Sequence, residues 1–307
     1  MRRLLVTGAN GHLGRRLIAG LPAEVEVEAL VRSERARQML ARHAGERPGL
    51  RITLADPGDA EVLAGLAAGC EAAVHLIGTI KESRDNRYAD SHVRPAGALV
   101  AAAARSGLRH IVYISILGAD ATSPCRCLRA RAAVEALLRE SPVPATVIRV
   151  PMVLGERDRA TRALARRATA RHVFLYRAAS LEQPIYAGDL IQAVQNALAW
   201  TAPSHRLFEL AGPEVLSRGA LVLRAAAVLK RRPNIHSLPL ALGLLAAHVL
   251  ARLRANPPVT PDMLRVLDHD DAIDPGPAAE ALGIMLTPLD TMLARCLGHS
   301  VVQDTIR

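Results

Sequence analysis

Aromatic side chains are scarce in this chain: two phenylalanines, one tryptophan and four tyrosines make up 2% of 307 residues. Such a composition offers no platform on which unpaired bases could stack, and it argues against single-strand nucleic-acid binding despite a net charge of +10. Lysine is scarcer still, because of 39 basic residues only Lys81 and Lys230 are lysines. The positive charge is therefore arginine, spread along a chain rich in alanine and leucine, which reads as a compositional bias and not as a nucleic-acid patch. Phosphate or an anionic membrane surface remains the kind of acidic partner this charge admits. Cys70, Cys125, Cys127 and Cys296 show no zinc spacing, so no metal site is expected and the thiols read as reduced and structural. No apolar run is long enough to span a bilayer: the longest, Leu238 to Leu253, is interrupted by Pro239, Gly243, His248 and Arg252. Met1-Arg2-Arg3 leads straight into a core strand without a leader pattern, and the expectation is a cytoplasmic protein.

What is present begins with Thr7-Gly8-Ala9-Asn10-Gly11-His12-Leu13-Gly14. The apolar run from Arg3 to Val6 precedes it, and Leu13, Leu17 and Ile18 follow at helical spacing, so the order is strand, glycine turn, helix. In that setting Gly8 permits a tight turn, Gly11 lets backbone approach a pyrophosphate, and Gly14 lets the helix pack closely on the strand. The helix N-terminus adds unpaired N–H groups and a partial positive charge.

Further strands are expected at 25–31, 50–54, 72–77, 110–115 and 145–150, separated by helices at 34–43, 59–68, 89–106 and 125–140. Alternation at this spacing predicts parallel pairing through right-handed crossovers, hence a Rossmann-type doubly wound α/β sheet of about six strands over residues 1–150. Ligands of such sheets bind beyond the carboxyl ends of the strands. Gly8 to Gly14, Arg32, Asp56, Gly78, Ser115 and Pro151 all fall on that edge. No acid stands just past the second strand to hold a ribose 2′-OH; Arg32, helped by Arg35 or Arg37, favours a 2′-phosphate, which points to NADP(H) over NAD(H), the alternative being a solvated loop charge. Asp56 is placed to accept from an adenine amino group and Asp59 to cap a helix. His75 reads as a core histidine.

From residue 151 the alternation weakens, and 151–307 is expected to form a smaller C-terminal α/β lobe for substrate or partner, capping the cofactor edge, with segments near 184–212 returning to the first domain. Helices are expected at 158–171, to 199, at 216–229, near 260–268 and at 287–297, with a strand at 206–211. The run 238–253 is expected as a buried helix; the alternative is an exposed apolar face in a membrane interface, where Lys230, Arg231, Arg232, Arg252 and Arg254 meet anionic headgroups.

The glycine turn, Asp56, Gly78 and Ser115 together resemble the extended and atypical short-chain dehydrogenase/reductase superfamily, which includes NAD-dependent epimerases and dehydratases. Within it, His75-Leu-Ile-Gly78-Thr-Ile-Lys-Glu82, Ile114-Ser-Ile-Leu-Gly-Ala-Asp120 and Pro257-Pro-Val-Thr-Pro-Asp262 are most similar to the atypical branch holding the nucleotide-binding accessory subunit of respiratory complex I. The resemblance implies cofactor contacts from Thr7, Gly8, Asn10, Gly11, His12, Leu13, Gly14, Arg32, Asp56, Pro57, Leu76, Gly78, Ser115, Arg131 and Pro151. Active members carry a Tyr-X-X-X-Lys pair, one helical turn apart, on the helix after strand five. Here Cys127 stands where the tyrosine would be and Arg131 where the lysine would be. Arginine is a permanent cation and no direct substitute for an ammonium, whereas a thiol beside it can in principle donate a proton. Ser115 is the candidate third catalytic member, although active relatives often place that hydroxyl where this chain has Leu117. His92 lies on the helix that carries an asparagine in many relatives.

Two classes of function follow. One is an NADP(H)-holding structural, assembly or regulatory module of a membrane respiratory complex or of quinone metabolism, peripheral to the membrane. The other is an NAD(P)H-dependent reductase, dehydrogenase or epimerase acting on a small or isoprenoid molecule, with Cys127, water or the substrate itself as proton source. No polar constellation in the second half identifies a small-molecule substrate.

Overall fold

A computed structural model describes residues 1–82, 86–254, 257, 259–266 and 268–298. The chain divides into two compact units, one comprising 1–149 with 191–208 and the other 150–190 with 209–307.

The first unit alternates as the periodicity dictates: β1 (Arg3–Thr7), α1 (His12–Gly20), β2 (Glu26–Val31), α2 (Glu34–Ala44), β3 (Leu50–Leu54), α3 (Ala60–Ala67), β4 (Ala72–His75), a π-helical turn at Ala89–Val93 continuing into α4 (Arg94–Ser106), β5 (His110–Ile116), α5 (Arg126–Arg139) and β6 (Ala145–Val150). Strand β1 pairs in parallel with both β2 and β4, β2 with β3, and β4 with β5. Their residues are buried on both faces, as the run Leu4, Leu5 and Val6 at 0% exposure shows, because helices cover both sides of a parallel sheet. Side chains of α3, α4 and α5 join Leu5, Leu30, Ile111 and Tyr113 in one core cluster. Ser33 and Asp59 cap α2 and α3 by accepting backbone N–H bonds.

In chain order there follow β7 (Val153–Leu154), α6 (Arg159–Thr169), β8 (His172–Tyr176), β9 (Leu181–Glu182), β10 (Ile185–Tyr186), α7 (Ala187–Leu198), β11 (Arg206–Glu209), β12 (Leu216–Ser217), α8 (Arg218–Val228), β13 (Asn234–Leu238), α9 (Leu240–Leu253), α10 (Pro261–Val266), α11 (Gly276–Ala281) and α12 (Leu289–Leu297). The main sheet has seven strands, not six, in the order β11-β6-β5-β4-β1-β2-β3. The seventh is β11, a short strand whose place beside β6 depends on pairing across more than fifty residues, which local pattern does not reveal.

The second unit holds three two-stranded ribbons, β7 with β10, β9 with β12 and β8 with β13. Its core gathers Leu164, Ala165, Leu221, Ala225, Met292 and Leu293 from α6, α8 and α12.

One expectation is overturned here. The apolar run 238–253 does form helix α9, but it is not a buried one. Only Gly243 and Ala247 are buried, one turn apart, and Gly243 rests on the ring of Tyr176. A stripe of two small residues covers little of a helix. Leu242, Leu245, Val249 and Leu253 are left 60%, 65%, 48% and 76% exposed. No helix among the described residues is long and apolar enough to cross a membrane. Two further readings, Pro258 of the 257–262 motif and Leu267 of the helix near 260–268, lie outside the described residues.

Candidate functional site

The site is built at the carboxyl ends of β1, β2, β4 and β5. The chain leaves β1 through Gly8, whose φ of +72° is a left-handed conformation that glycine adopts without strain. A Cβ at Gly8 would meet the Leu76–Ile77 backbone at 2.8–2.9 Å, so the turn lies directly on the chain leaving β4. Gly14 is equally constrained, since a Cβ there would fall 2.6 Å from the Ala9 carbonyl oxygen and push α1 off the turn. Gly11 is the residue before α1, and it provides no side-chain cap. A glycine there leaves the start of α1 without the kind of side-chain cap that Ser33 and Asp59 give α2 and α3. Gly11 is exposed, and Asn10, His12 and Leu13 are half-buried beside it. Backbone stripped of Cβ atoms at a helix N-terminus suits a pyrophosphate, and these residues fit a dinucleotide.

Past β2, Arg32 is exposed, and its guanidinium donates to Asn86 Oδ1 at 3.2 Å. Arg35 is exposed as well, while Arg37 pairs with Glu34 at 2.9 Å within α2. Asp56, past β3, is engaged by its own chain: Arg94 donates to both carboxylate oxygens at 2.8 and 3.0 Å, and Gly58 N–H donates at 2.9 Å. These bonds hold its pKa below the usual aspartate value, Arg94 foremost. Pro57 sits half-buried in the same turn, and Leu76 N–H continues the sheet by donating to the Thr7 carbonyl at 3.0 Å.

Behind the glycine turn lies a buried polar cluster. Thr7 Oγ1 and His75 Nδ1 are 2.8 Å apart, both wholly enclosed. His75 is thus a core histidine, packed 5.6 Å from the ring of Tyr113. Arg131, from α5, donates to the Tyr113 hydroxyl at 2.9 Å and to the Ile114 carbonyl at 3.0 Å. Its guanidinium is packed against Gly78, where a Cβ would lie 2.4 Å from it, and His92 approaches the same point at 3.0 Å. The surface of Gly78 thus receives the chain's own cation. His92 Nε2 lies 2.9 Å from the Thr79 carbonyl oxygen and 3.2 Å from its N–H. Burial, reinforced by the Arg131 charge, pushes His75 and His92 each down to about 3, so both imidazoles are neutral.

Cys127 is 1% exposed, and its thiol donates to the Thr79 carbonyl at 3.7 Å. Ser115 is 3% exposed and donates to Glu135 at 2.6 Å; Glu135 is in turn held by Arg149 at 2.6–3.2 Å. Thr7, Gly8, Asn10, Gly11, His12, Leu13, Gly14, Arg32, Asp56, Pro57, Leu76, Gly78, Ser115, Cys127 and Arg131 belong to the first unit; Pro151 belongs to the second. Sequence reasoning missed Tyr113, Arg94 and the Glu135–Arg149 pair. Alternation along β5, which puts Ile111, Tyr113 and Ser115 on one face, was the available signal for Tyr113. No group of His, Cys, Asp and Glu able to hold a metal ion exists among the described residues.

The geometry agrees with what this chain is similar to. It aligns at 29% identity over 243 residues with the mitochondrial NADH dehydrogenase [ubiquinone] 1 alpha subcomplex subunit 9 of Arabidopsis thaliana, covering 76% of this chain and 60% of the plant protein. The chain thus spans less than two thirds of that relative. Among solved structures it superposes on the UDP-glucuronic acid 4-epimerase of Bacillus cereus, bound to UDP-glucuronic acid and NAD, with a TM-score of 0.75 at 16% identity, covering 98% of this chain and 99% of that one. The NADPH-dependent quinone oxidoreductase of Escherichia coli, bound to NADPH, gives 0.67 at 19% identity, covering 95% and 98%. The model of the NAD(P)H-binding family matches residues 8–177, more than half of the chain, and the protein belongs to that family.

Proposed function

We propose that this chain is an NADP(H)-holding, catalytically idle member of the short-chain dehydrogenase/reductase superfamily. It would serve as a structural, assembly or regulatory module of a membrane respiratory complex or of quinone metabolism. The observation that carries the reading is the state of the proton-transfer positions: Cys127, Arg131 and Ser115 are each bonded to groups of the chain itself. A thiol buried against a carbonyl has no path to a substrate, and an arginine tied to Tyr113 leaves no free ammonium to tune a proton donor. A bound nicotinamide dinucleotide would supply hydride chemistry. Gly8, Gly11, Gly14 and the start of α1 hold its phosphates, and exposed Arg32, which stands directly after β2 where an acid would hold a ribose hydroxyl, favours the 2′-phosphate. A charge-assisted bond of that kind contributes roughly 1.5–3 kcal/mol, or about 10- to 100-fold in affinity.

Membrane attachment is supported by α9, whose outward side chains Leu242, Leu245, Val249 and Leu253 lie on one stripe. Burying them in a bilayer interface would contribute roughly 1–2 kcal/mol each, and each nearby arginine or lysine about 1 kcal/mol more on anionic lipid. A cytoplasmic chain that visits a membrane surface is part of the same proposal. The similarity to a complex I subunit supports the attachment, and the fold shared with a quinone oxidoreductase is compatible with the setting.

The test is titration of the purified protein with NADPH and NADH by nicotinamide fluorescence, followed by a search for quinone-dependent oxidation of the bound NADPH. Tighter NADPH binding without turnover supports the proposal. Preference for NADH, or indifference to Arg32→Ala, overturns the cofactor assignment. Turnover abolished by Cys127→Ala overturns the idle site and establishes the enzyme alternative.

A further inference from the structure

The second unit carries a surface cavity of about 940 Å³ at the C-terminal ends of α6 and α8. Its polar rim consists of Arg171, Lys230, Arg231 and Arg232, its apolar wall includes Leu223 and Pro233, and no carboxylate lines it. All four cations are exposed, and none has an ion pair or side-chain hydrogen bond among the described residues. This is unusual in a chain whose other arginines often pair with acids, as at Glu182–Arg218 and Asp290–Arg224 in the same unit.

The backbone sets where two of the cations leave the helix. Helix α8 ends with Arg231 N–H donating to the Ala226 carbonyl at 2.8 Å and Lys230 N–H to the Ala227 carbonyl at 3.0 Å. That paired pattern closes a helix with its penultimate residue left-handed, a place where glycine is usual. Here the residue is Lys230, at a φ of +55°. A lysine in a strained glycine position, followed by two arginines, delivers three consecutive positive charges to one cavity at a local conformational cost. Arg171 faces them across the β8–β13 ribbon, where Asn234 N–H donates to its carbonyl at 2.9 Å. The ribbon then leads directly to α9: β13 is five residues long, about 17 Å of extended chain, and the exposed apolar stripe begins at its far end. Phe174, 63% exposed, lies on the intervening ribbon.

We infer that this cavity binds the phosphate headgroup of an anionic phospholipid, with a phosphomonoester preferred because a second negative charge meets four exposed cations. The inference rests on the proposed membrane attachment and deepens it. The apolar stripe supplies general partition into the interface, and the cavity reads the headgroup. The occupant is a lipid and not a soluble phosphate ester because the basic rim is coupled to exposed leucines one strand away, which a soluble ester would leave in water.

The test is flotation of the full chain with three kinds of vesicle: phosphatidylcholine alone, phosphatidylcholine with phosphatidylserine, and phosphatidylcholine with phosphatidic acid at matched surface charge. Phosphatidic acid vesicles should bind roughly ten times more tightly than serine-lipid vesicles of equal charge. Lys230→Gly, which relieves the left-handed strain and leaves folding intact, should lose most of that preference, as should Arg171→Gln with Arg232→Gln. Leu245→Gln with Leu253→Gln should weaken binding to every vesicle alike. Equal binding to the two anionic vesicles overturns the headgroup site while leaving membrane attachment standing. Displacement from phosphatidic acid vesicles by millimolar glycerol 3-phosphate makes the ligand a soluble ester and overturns the lipid assignment. Failure to float with any vesicle overturns both readings.

Discussion

The buried histidines make the first unit sensitive to acid in a window set by their environment. His75 and His92 are fully enclosed, and burial first, then the Arg131 charge, pushes each to about 3; burial likewise pushes His110 to about 4. An unfolded imidazole has a pKa of about 6.5, so below that value the unfolded chain takes up protons that the folded chain refuses. The stability contribution is therefore fully present above about pH 6.5 and is lost as pH falls toward the folded values. Between pH 7 and pH 5 each histidine withdraws about 2 kcal/mol, and the three together on the order of 5 kcal/mol, comparable with the whole stability of many domains. Carboxylates with depressed pKa values, such as Asp56 and Asp270, titrate below this window, and His269, raised by Asp271, is partly exposed and acts weakly in the opposite direction. The assay is urea unfolding at the two pH values, followed by circular dichroism. His75→Gln with His92→Gln should lower the starting stability but remove most of the pH dependence. A wild-type loss under about 1 kcal/mol, or an equal loss in the double variant, would refute the reasoning.

Other outcomes follow from the same geometry. Gly14→Ala should destabilise by roughly 1–3 kcal/mol and abolish nucleotide binding, because its Cβ would press on the Ala9 carbonyl; thermal unfolding with and without NADPH reads both effects. Arg149→Met should cost roughly 3–5 kcal/mol in chemical denaturation, since it strands the buried Glu135 carboxylate that Ser115 alone cannot satisfy. Arg94→Gln should change stability by less than about 1 kcal/mol, because the Asp56 pair is solvent-exposed, 48% and 55% at the two side chains; a larger effect in a denaturation curve would contradict that reading. Lys230→Gly should raise the melting temperature slightly, by relief of up to about 1 kcal/mol of left-handed strain.

Much of the first unit was legible because its chemistry is local. Strand β3 falls on the expected residues 50–54, and α2, α5 and β6 begin or end within a residue or so of their expected bounds, since apolar periodicity and the caps at Ser33 and Asp59 are short-range signals. The glycine turn was equally plain, because Gly14 answers to Ala9 and Gly8 in the same motif, although the contact that constrains Gly8 is with the distant Leu76–Ile77 backbone. What could not be read depended on distant partners. The place of β11 at the sheet edge is set by pairing with β6, and the exposure of α9 follows from burial confined to Ala247 and to Gly243, which rests on the distant Tyr176. In the site, Cys127 and Arg131 were visible as substitutions, but their ties to Thr79 and Tyr113 come from elements forty-eight and eighteen residues away. Asp56 looked like a free acceptor for the same reason, its partner Arg94 being thirty-eight residues on.

The most direct test of the central claim is calorimetric titration of the purified chain with NADPH, with the absorbance of the reduced nicotinamide followed afterwards in the presence of a quinone. The account predicts binding at one site per chain, weaker for NADH by about tenfold or more, and no decay of the reduced nicotinamide. Quinone-dependent oxidation over many turnovers, or no heat of binding for either nucleotide, would contradict it.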